Sequence, residues 1–525
     1  MPLKNLKYFI ILAVFFTLHS KTTLLDSEAV KNIAARNAYD LLTKISTFHG
    51  LSCGIEGQPM MLKRIGKASS EILLFIDEVY YGKRIADLSF LSVDQINNIV
   101  VDDRSVENSG ITVKIYTKTF NSDIPVSEVK YRDAFFNYRD LTADIYQHVT
   151  DDFSFLISGE IFNWKDNRDK YDDFSFPYEK QNYRLKLLFP GLKLTKPSLD
   201  ITYTKDDKYF LAYDSSHVKS DLLRSAVYFD NRYSNEITNR LTAVHLHETD
   251  GNTTNYFSLY NISTFTDSLN RLEGKIGFNA QPGNGSLTYL RADYNRTAVI
   301  NYGLIGYFSV SNDAENIMST HLDLSKDLGF AEFETTHGYF SDDTNEQKYE
   351  LVENLFSVKK SLAYDNFRFS FGTGFDRFDH KNDHNDFYRF EFGTDYNSKI
   401  RFSNEYLRSA SGKISDTVFL NNLSSLTFSD KYFNEKLTVN LTFLHRYSEY
   451  LIGNNKNYMN NLSFNFRARI VNFEFFFGSD NFLKDRYEFN DNIYEVNRHY
   501  KYRTIDGFDM RTTDEIWGIR WIFYR

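Results

Sequence analysis

The chain has 525 residues but only one cysteine, Cys53, and only 7 prolines. A single cysteine excludes an intrachain disulfide and a metal site built from paired cysteines. Cys53 also lies too far along the chain to carry a lipid anchor at the start of an exported protein. We therefore expect Cys53 to be a small buried residue of a folded domain.

Long apolar runs, basic blocks and catalytic signatures are missing as well. No internal segment approaches the roughly 20 apolar residues that a membrane-spanning helix requires. Net charge is -9 and the pI is about 5.8, so no nucleic-acid partner is expected. The glycine-rich phosphate loop and the HExxH and GxSxG signatures do not occur. We predict no catalytic residue, no metal site and no cofactor, and hence a protein that is not an enzyme.

Aromatic residues are what the chain has in excess. They make up 17% of it, with 48 Phe and 37 Tyr, while charged residues remain at 25% and mean hydropathy is -0.46. A polar average with dense aromatics is typical of strands that show one face to lipid and the other to water. A soluble repeat or sandwich protein could share these totals, so the pattern along the chain has to distinguish them.

The first 20 residues have the features of a secretory signal peptide. Lys4 and Lys7 precede an apolar stretch from Tyr8 to Phe16, and a small residue, Ser20, closes the segment. An N-terminal membrane anchor is the alternative, which the shortness of the apolar stretch disfavours. We expect export, with cleavage after Ser20.

The next hundred residues differ in pattern from the rest of the chain. Helical spacing runs from Leu25 to Lys44, with Ser27 as its predicted cap. Ile72 to Ile76 reads as a buried strand that ends at a turn closed by Asp77. The remaining segments are Arg64-Ile65-Gly66, a short helix from Leu88, a strand from Ile96 to Val101, and a strand from Ile111 to Lys118 that follows Gly110.

In this order, the segments from about Leu25 to Lys118 resemble the plug domain of TonB-dependent outer-membrane receptors. In that family a small plug sits inside a 22-stranded barrel, and scarce ligands are taken up with inner-membrane energy. The resemblance implies that Asp77 and Arg64 are scaffolding, with Arg64 paired to an acidic group of the barrel wall. The chain departs from the family in two places. The connection Asp102–Gly110 lacks the family's usual turn and most of its glycines. Thr22–Asp26 resembles the family's coupling segment, the TonB box, only in having an apolar pair beside threonine.

Beyond Pro125 the chain alternates apolar and polar residues in segments of about ten. Clear examples are Ser127–Asn137, Tyr138–Val149 and Phe153–Trp164, and weaker ones such as Leu222–Tyr233 bring the number to about 22. Closure is required, because an open edge in lipid would leave unpaired amides. A soluble sandwich or solenoid is disfavoured, since no fixed repeat and too few Gly and Pro turns are present.

The fold class predicted is therefore mainly β: a transmembrane antiparallel β-barrel of about 22 strands with a small N-terminal α+β plug domain in the lumen. The expected divisions are a signal peptide at 1–20, a plug-like domain at 21–120 and the barrel at 121–525.

Four groups of polar residues contain side chains that could bind a metal ion or a ligand. They are Asp379–Asp386 with His380 and His384, the pair His245 and His247 beside Glu248, Asp206-Asp207, and Asp342-Asp343. The first is expected to be a solvated loop at the barrel mouth, the histidines lumen-facing, and the acidic pairs solvated turns. No metal site is assigned to them, and the ligand-binding residues stay unknown.

The resemblance implies an outer-membrane receptor and transporter that passes a scarce ligand, such as a siderophore, cobalamin or a metal complex, through a plugged barrel. The alternative is an uncoupled relative that acts as a passive or plugged channel, or as a surface-binding or structural protein. Expected partners are outer-membrane lipid and lipopolysaccharide, an unidentified small-molecule ligand, and a TonB-type coupling protein if the coupling segment functions. The chain is expected to be a monomer.

Overall fold

The computed structural model of the chain consists of a small mixed sheet and a large closed barrel. The residues that the structure describes are 22–33, 35–45, 48–51, 61–64, 72–82, 88, 91–102, 111–120, 123–134, 138–164, 178–190, 195–210, 216–250, 252–280, 286–296, 301–311, 316–327, 331–344, 347–380, 383–410, 418–452, 455–480, 502–505, 508–510 and 514–524. The predicted signal peptide, Cys53 and residues 103–110 lie outside these ranges. No helix within them is long and apolar enough to cross a membrane.

The N-terminal part, which we call the plug, contains seven strands and two short helices among the described residues. They are β1 (Thr22–Leu25), α1 (Ser27–Asn32), α2 (Ala38–Thr43), β2 (Phe48–Leu51), β3 (Met61–Arg64), β4 (Ile72–Ile76), β5 (Val79–Gly82), a 3₁₀ turn (Val93–Gln95), β6 (Ile96–Asp102) and β7 (Ile111–Thr117). Five of the strands form a sheet in the order β1-β6-β7-β4-β5, and β2 pairs with β3 separately. β4 and β7 are parallel, and the other neighbours are antiparallel.

The plug has an apolar core of its own. Ile99 of β6 and Val113 and Ile115 of β7 have no exposed surface, and Leu41 and Leu42 of α2 pack into the same cluster. Burying one such side chain contributes about 1.5–3 kcal/mol. The buried strand predicted at Ile72–Ile76 is confirmed and supplies Leu74 and Ile76 to this cluster.

The single helix predicted from Leu25 to Lys44 is wrong. Leu25 ends β1, and the cap of α1 is Asp26 rather than Ser27: its Oδ1 accepts hydrogen bonds from the backbone N–H groups of Glu28 and Ala29. A second cap, Asn37, accepts a bond from the N–H of Asp40 and starts α2. Two separate capping residues thus divide the helical pattern into two short helices.

The barrel contains the 22 strands that the sequence predicts. They are β8 (Val126–Ala134), β9 (Tyr138–Thr150), β10 (Phe153–Trp164), β11 (Tyr178–Leu188), β12 (Thr195–Phe210), β13 (Ser216–Arg232), β14 (Ile237–Asp250), β15 (Asn252–Thr266), β16 (Asn270–Ala280), β17 (Ser286–Arg296), β18 (Asn301–Ser311), β19 (Asn316–Asp327), β20 (Glu332–Thr344), β21 (Gln347–Tyr364), β22 (Phe367–His380), β23 (Asp383–Tyr396), β24 (Ile400–Ser409), β25 (Val418–Tyr432), β26 (Leu437–Ile452), β27 (Asn455–Ile470), β28 (Phe473–Asp480) and, after a small hairpin of β29 (Tyr502–Ile505) and β30 (Phe508–Met510), β31 (Asp514–Tyr524). Each pairs antiparallel with the next, and β31 pairs with β8, which closes the barrel.

The two faces of the barrel wall differ in chemistry. On β8, Val129 is 41% exposed, whereas its neighbours Glu128 and Lys130 are buried toward the lumen. On β10, Ile157 is exposed and Ser158 is buried in the same way. An apolar outer face with a polar inner face is the arrangement of a transmembrane β-barrel, because lipid satisfies the outer side chains. The alternation with period two, read from the sequence, is confirmed.

Two predicted turns are strand instead. Asp206 and Asp207 lie within β12, and Asp342 and Asp343 lie within β20. Strands in this barrel run past the ten-residue length assumed from the sequence, so polar residues near strand ends continue the ladder. By contrast, Asp151-Asp152 does form a turn, between β9 and β10.

Candidate functional site

The plug is tied to the barrel by a series of polar contacts, and this contact surface is the candidate functional site. Arg446 of β26 makes the most concentrated one. Its guanidinium donates hydrogen bonds to the backbone oxygens of Thr43, Ile45 and Phe48, with 2.8 Å from Nη2 to the oxygen of Ile45. The side chain is buried, so one barrel residue links three plug carbonyls to the wall.

A second contact joins the turn after β4 to strands β11 and β12. Asp77 and Glu78 have positive φ angles of 50° and 68°, which turn the chain sharply. The Asp77 carboxylate accepts bonds from the N–H of Thr117 at 2.9 Å and from its hydroxyl at 2.6 Å. Arg184 of β11 lies 3.5 Å from Asp77 and is held by Asp200 at 2.5 Å. Asp77 is therefore scaffolding, as predicted, and also a tie to the barrel, which the sequence did not indicate.

Glu78, in the same turn, is surrounded by cations and a phenol. Lys114 lies 3.7 Å from its carboxylate, and the hydroxyl of Tyr116 donates to it. Lys275 of β16 reaches the backbone oxygen of Glu78 at 3.4 Å and lies over the ring of Phe75. Burial alone would raise the pKa of Glu78, but Lys114 and Lys275 outweigh it and lower the pKa to about 2. Glu78 thus keeps its charge at any ordinary pH.

Asp94, in the 3₁₀ turn, forms the third contact. It pairs with Lys130 and, at 3.1 Å, with Arg132, both of β8. Arg132 also donates to Ser92 at 3.0 Å and pairs with Asp140 of β9. Burial would raise the pKa of Asp94, but Arg132 and Lys130 hold it well below its usual range.

The segment that leads from the plug into the barrel is fixed at Lys118. Its ammonium lies 3.0 Å from Glu128 and 2.8 Å from Asp144, and Glu128 in turn accepts from Arg520 at 2.7 Å. Burial would lower the pKa of Lys118, but Asp144 and Glu128 raise it above its usual value. This connection therefore stays charged and paired.

Helix α1 is held through its backbone. Arg467 of β27 donates to the oxygen of Lys31 at 2.6 Å, and the Asn465 side chain donates to the oxygen of Asn32 at 3.0 Å. Arg467 is itself paired with Glu474 of β28. The arrangement is the same as at Arg446: a barrel cation holds carbonyls at the end of a plug helix.

The segment that resembles a coupling box in composition is part of the plug sheet. Residues Thr22 to Leu25 form β1, the edge strand, and pair antiparallel with β6 from Asp102 to Ile99. One edge of its backbone is therefore paired with β6 along its whole length. Leu24 remains 60% exposed, so the strand covers little apolar surface.

The histidine pair lies on the outer face, so the lumen-facing position expected for it is wrong. His245 and His247 share a strand face, as their spacing predicts. Nε2 of His245 lies 3.3 Å and Nδ1 of His247 lies 2.8 Å from Oδ1 of Asn255. His245 stacks on Phe257, which is 50% exposed. Because even-numbered residues of β14 such as Thr242 are buried, the odd-numbered histidines point outward.

The Asp379–Asp386 group is largely strand rather than the predicted loop. Only residues 381–382 separate β22 from β23. Asp379 lies 2.9 Å from Arg377, and Asp386 lies 3.9 Å from the same guanidinium. Side chains of His380 and His384, and that of Arg64, lie outside the described residues. Within the described part of the chain, no three His, Cys, Asp or Glu side chains are grouped to hold a metal ion.

Comparison with known proteins identifies the fold. No protein-family model and no curated protein matches the sequence. Among solved structures, the chain is similar to the siderophore receptor PirA from Acinetobacter baumannii, with 9% identity and a TM-score of 0.73 over 96% of this chain and 98% of that one.

Two further solved structures agree with this. A mutant ferric enterobactin receptor, PfeA, from Pseudomonas aeruginosa has 10% identity and a TM-score of 0.75 over 97% of this chain and 100% of that one. The iron transporter FrpB from Neisseria meningitidis has 8% identity and a TM-score of 0.71 over 97% and 100%. The fold expected from the resemblance to TonB-dependent receptors, a plug with a 22-stranded barrel, is thereby confirmed.

Proposed function

We propose that this chain is an outer-membrane receptor and transporter that binds a scarce small-molecule ligand and admits it when the plug moves. The observation that supports this is the nature of the contact between plug and barrel. Arg446, Arg184 and Lys275 hold the plug through hydrogen bonds and ion pairs. Water can replace such contacts one at a time, whereas an apolar seal would have to open as a whole. The plug can then shift without unfolding.

The ligand proposed is a siderophore, cobalamin, a metal complex or a similar compound. Ferric siderophores are the first to test, because two of the similar solved structures are receptors for siderophores by name. Binding, and not chemical conversion, is the role we assign to the chain. Its site is proposed at the barrel end opposite the short turn 151–152, the end that carries the connection between β10 and β11.

The proposed setting is the outer membrane of a Gram-negative-type bacterium. Residues 1–20 would be removed on export, 21–120 would form the plug, and 121–525 would form the barrel. The apolar outer face, with Leu141, Ile145 and Ile161 all exposed, fits contact with lipid. Lipopolysaccharide would be the neighbour in the outer leaflet, and the barrel is proposed to act as a monomer.

Planar-bilayer recordings test the gate directly. The full chain should show little conductance, and a chain lacking residues 22–118 should open a large, steady pore. Cells that lack their own siderophore receptors but carry this chain should accumulate a ferric siderophore. Equal conductance with and without the plug would contradict a gating role, and absence of uptake across a panel of chelates would contradict transport.

A second function, a plugged or passive barrel without energy coupling, is supported by one observation. Residues Thr22 to Leu25, which have the texture of a coupling box, are held in the plug sheet as β1 by pairing with β6. A coupling partner that binds an extended segment drawn out of the plug would first have to separate β1 from β6. A pull-down with the periplasmic domain of a TonB protein distinguishes the two. Binding, with uptake abolished by an uncoupler, supports transport, and no binding with uncoupler-insensitive uptake supports the passive barrel.

A further inference from the structure

A cavity of about 240 Å³ lies between the plug helices and the barrel strands β8, β27, β28 and β31. That volume holds many water molecules. Eight lysine and arginine side chains line it, against three aspartate and glutamate side chains. The cavity is therefore a positively charged chamber at the contact between plug and barrel.

Most of these cations already have acidic partners. Lys130 and Arg132 pair with Asp94, and Lys118 pairs with Glu128 and Asp144. On the plug side, Arg36 and Lys44 pair with Asp40. Five of the eight cations are thus paired.

Two guanidinium groups on the other side are also paired, though one keeps a free donor. Arg467 is bound to Glu474, and Arg520 is bound to Glu128 with a weaker approach to Glu474 at 3.9 Å. The Nε of Arg520 is buried and has no hydrogen-bond partner among the described residues. A buried N–H of a cation without an acceptor costs free energy that an added acceptor would recover.

Lys31 of α1 is the cation that remains. Within the described residues no acidic side chain pairs with its ammonium, and the side chain keeps solvent contact along the cavity. Partial burial, followed by repulsion from Arg520, Lys118 and Arg467, lowers the pKa of Lys31 to about 8, and Glu128 opposes this shift. The plug thus brings an unpaired charge against the positive wall of the barrel.

We propose that this cavity binds a small oxyanion between Lys31 of the plug and Arg520 of the barrel, and that the bound anion stabilises the docked plug. An oxyanion has several acceptor oxygens, so one ion can accept from the Lys31 ammonium while its negative charge offsets the positive charge of the Arg520 guanidinium, which also lines the cavity. Charge-assisted hydrogen bonds of this kind are about twice as strong as neutral ones. Because the site exists only when plug and barrel are in contact, binding favours the docked state by mass action.

The proposal fixes the direction of a pH effect. Without the anion, Lys31 loses its proton more readily in the docked plug than when the plug is free. Docking should then strengthen as the pH rises from about 8 toward 10.5, the ordinary value for lysine. A bound oxyanion favours the charged ammonium of Lys31, so it should remove the pH dependence of docking. The affinity of the site for the anion should fall above about pH 8.

The test is a calorimetric titration of inorganic phosphate into the full chain in detergent, at pH 7 and pH 9.5 and constant ionic strength. The wild type should bind at pH 7 and at least tenfold more weakly at pH 9.5, with a melting temperature that rises with phosphate. Lys31→Met should lose at least tenfold in affinity at pH 7. Lys31→Arg should keep the affinity and lose the pH dependence, because a guanidinium stays charged.

The matched control is Lys399→Met, which removes an exposed lysine on a barrel turn far from the cavity. It should bind phosphate as the wild type does. Heat-modifiable migration on a gel shows that each variant has a folded barrel. The proposal is overturned if phosphate does not bind the wild type, or if it binds Lys31→Met and wild type equally.

Discussion

The inside of the plug and its outer contact with the barrel follow opposite chemistry. Inside, Ile99, Val113 and Leu41 are completely buried among apolar neighbours. Outside, the Asp77 carboxylate meets Arg184, and backbone carbonyls of the plug meet Arg446. Apolar burial is non-directional and is lost as a whole, whereas hydrogen bonds to the barrel can be exchanged for water individually. The difference teaches that the plug is built to stay folded while its attachment changes.

The largest effect is expected from a charge placed in the plug core. Ile99→Asp should unfold the plug, at a cost of more than about 4 kcal/mol, because the carboxylate would be buried without a partner. Trypsin should then cut within residues 22–118, while the barrel keeps its heat-modifiable migration. Asn97→Asp, at an exposed position of the same strand, is the control and should remain resistant. A resistant Ile99→Asp plug would mean that the apolar core does not hold this part together.

A smaller effect is expected from removing the strongest tie to the barrel. Arg446→Ala should weaken docking by about 3 kcal/mol, since each hydrogen bond from a charged group contributes about 1.5–3 kcal/mol and entering water offsets part of the loss. The plug should stay folded but release more often, which bilayer recordings would detect as more frequent openings. Arg401→Ala removes an exposed arginine paired with Asp395 and should leave the openings unchanged. Unchanged openings in Arg446→Ala would show that this residue does not hold the plug.

Acid should loosen the attachment only at low pH. The pKa of Glu78 is lowered from 4.5 to about 2 in the folded chain, so the stability that it contributes is complete above about pH 4.5 and is lost as the pH falls toward 2. Protease resistance of the plug should therefore be flat from pH 8 to 5 and decline below 4.5. Glu78→Gln should show a shallower decline. An equally steep decline in that variant would assign the effect to other carboxylates.

The smallest effect is expected from an ion pair on the barrel rim. Lys399, on the turn after β23, and Asp430, near the end of β25, lie 2.8 Å apart, where solvent screens them. Lys399→Ala should change neither plug release nor barrel migration measurably. A clear effect in either measurement would show that rim charges contribute to the attachment after all.

The barrel could be predicted from the sequence because its signal is local. Strand β10 has the predicted bounds, Phe153 to Trp164, since alternation of apolar and polar residues sets which face each side chain takes. The acidic pair Asp206-Asp207 misled because aspartates also occur on the lumen face, where Asp206 is buried and accepts from Tyr178. The composition of a short stretch does not distinguish polar residues of a turn from polar strand residues that face the lumen.

The plug contacts could not be predicted, because they join residues far apart in the chain. Asp77 and Arg184 are separated by more than a hundred positions, and Arg446 meets Thr43 across almost the whole chain. One signal was available: an arginine at an inward position of a strand, such as Arg184 between Tyr183 and Leu185. In a lumen that contains a plug, such a residue needs an acceptor there. The sequence shows the donor but not which carbonyl receives it.

The seam between β31 and β8 sets the order in which the molecule can be assembled. Residues Ile516 to Tyr524 pair with Val126 to Ala134, so the wall stays open until β31 is in place beside β8. Lys118 contacts Glu128 on one side of the seam, and Glu128 contacts Arg520 on the other. Closing the circle therefore also completes the charge network at the foot of the plug, and a barrel that closes without its plug leaves that network unfinished.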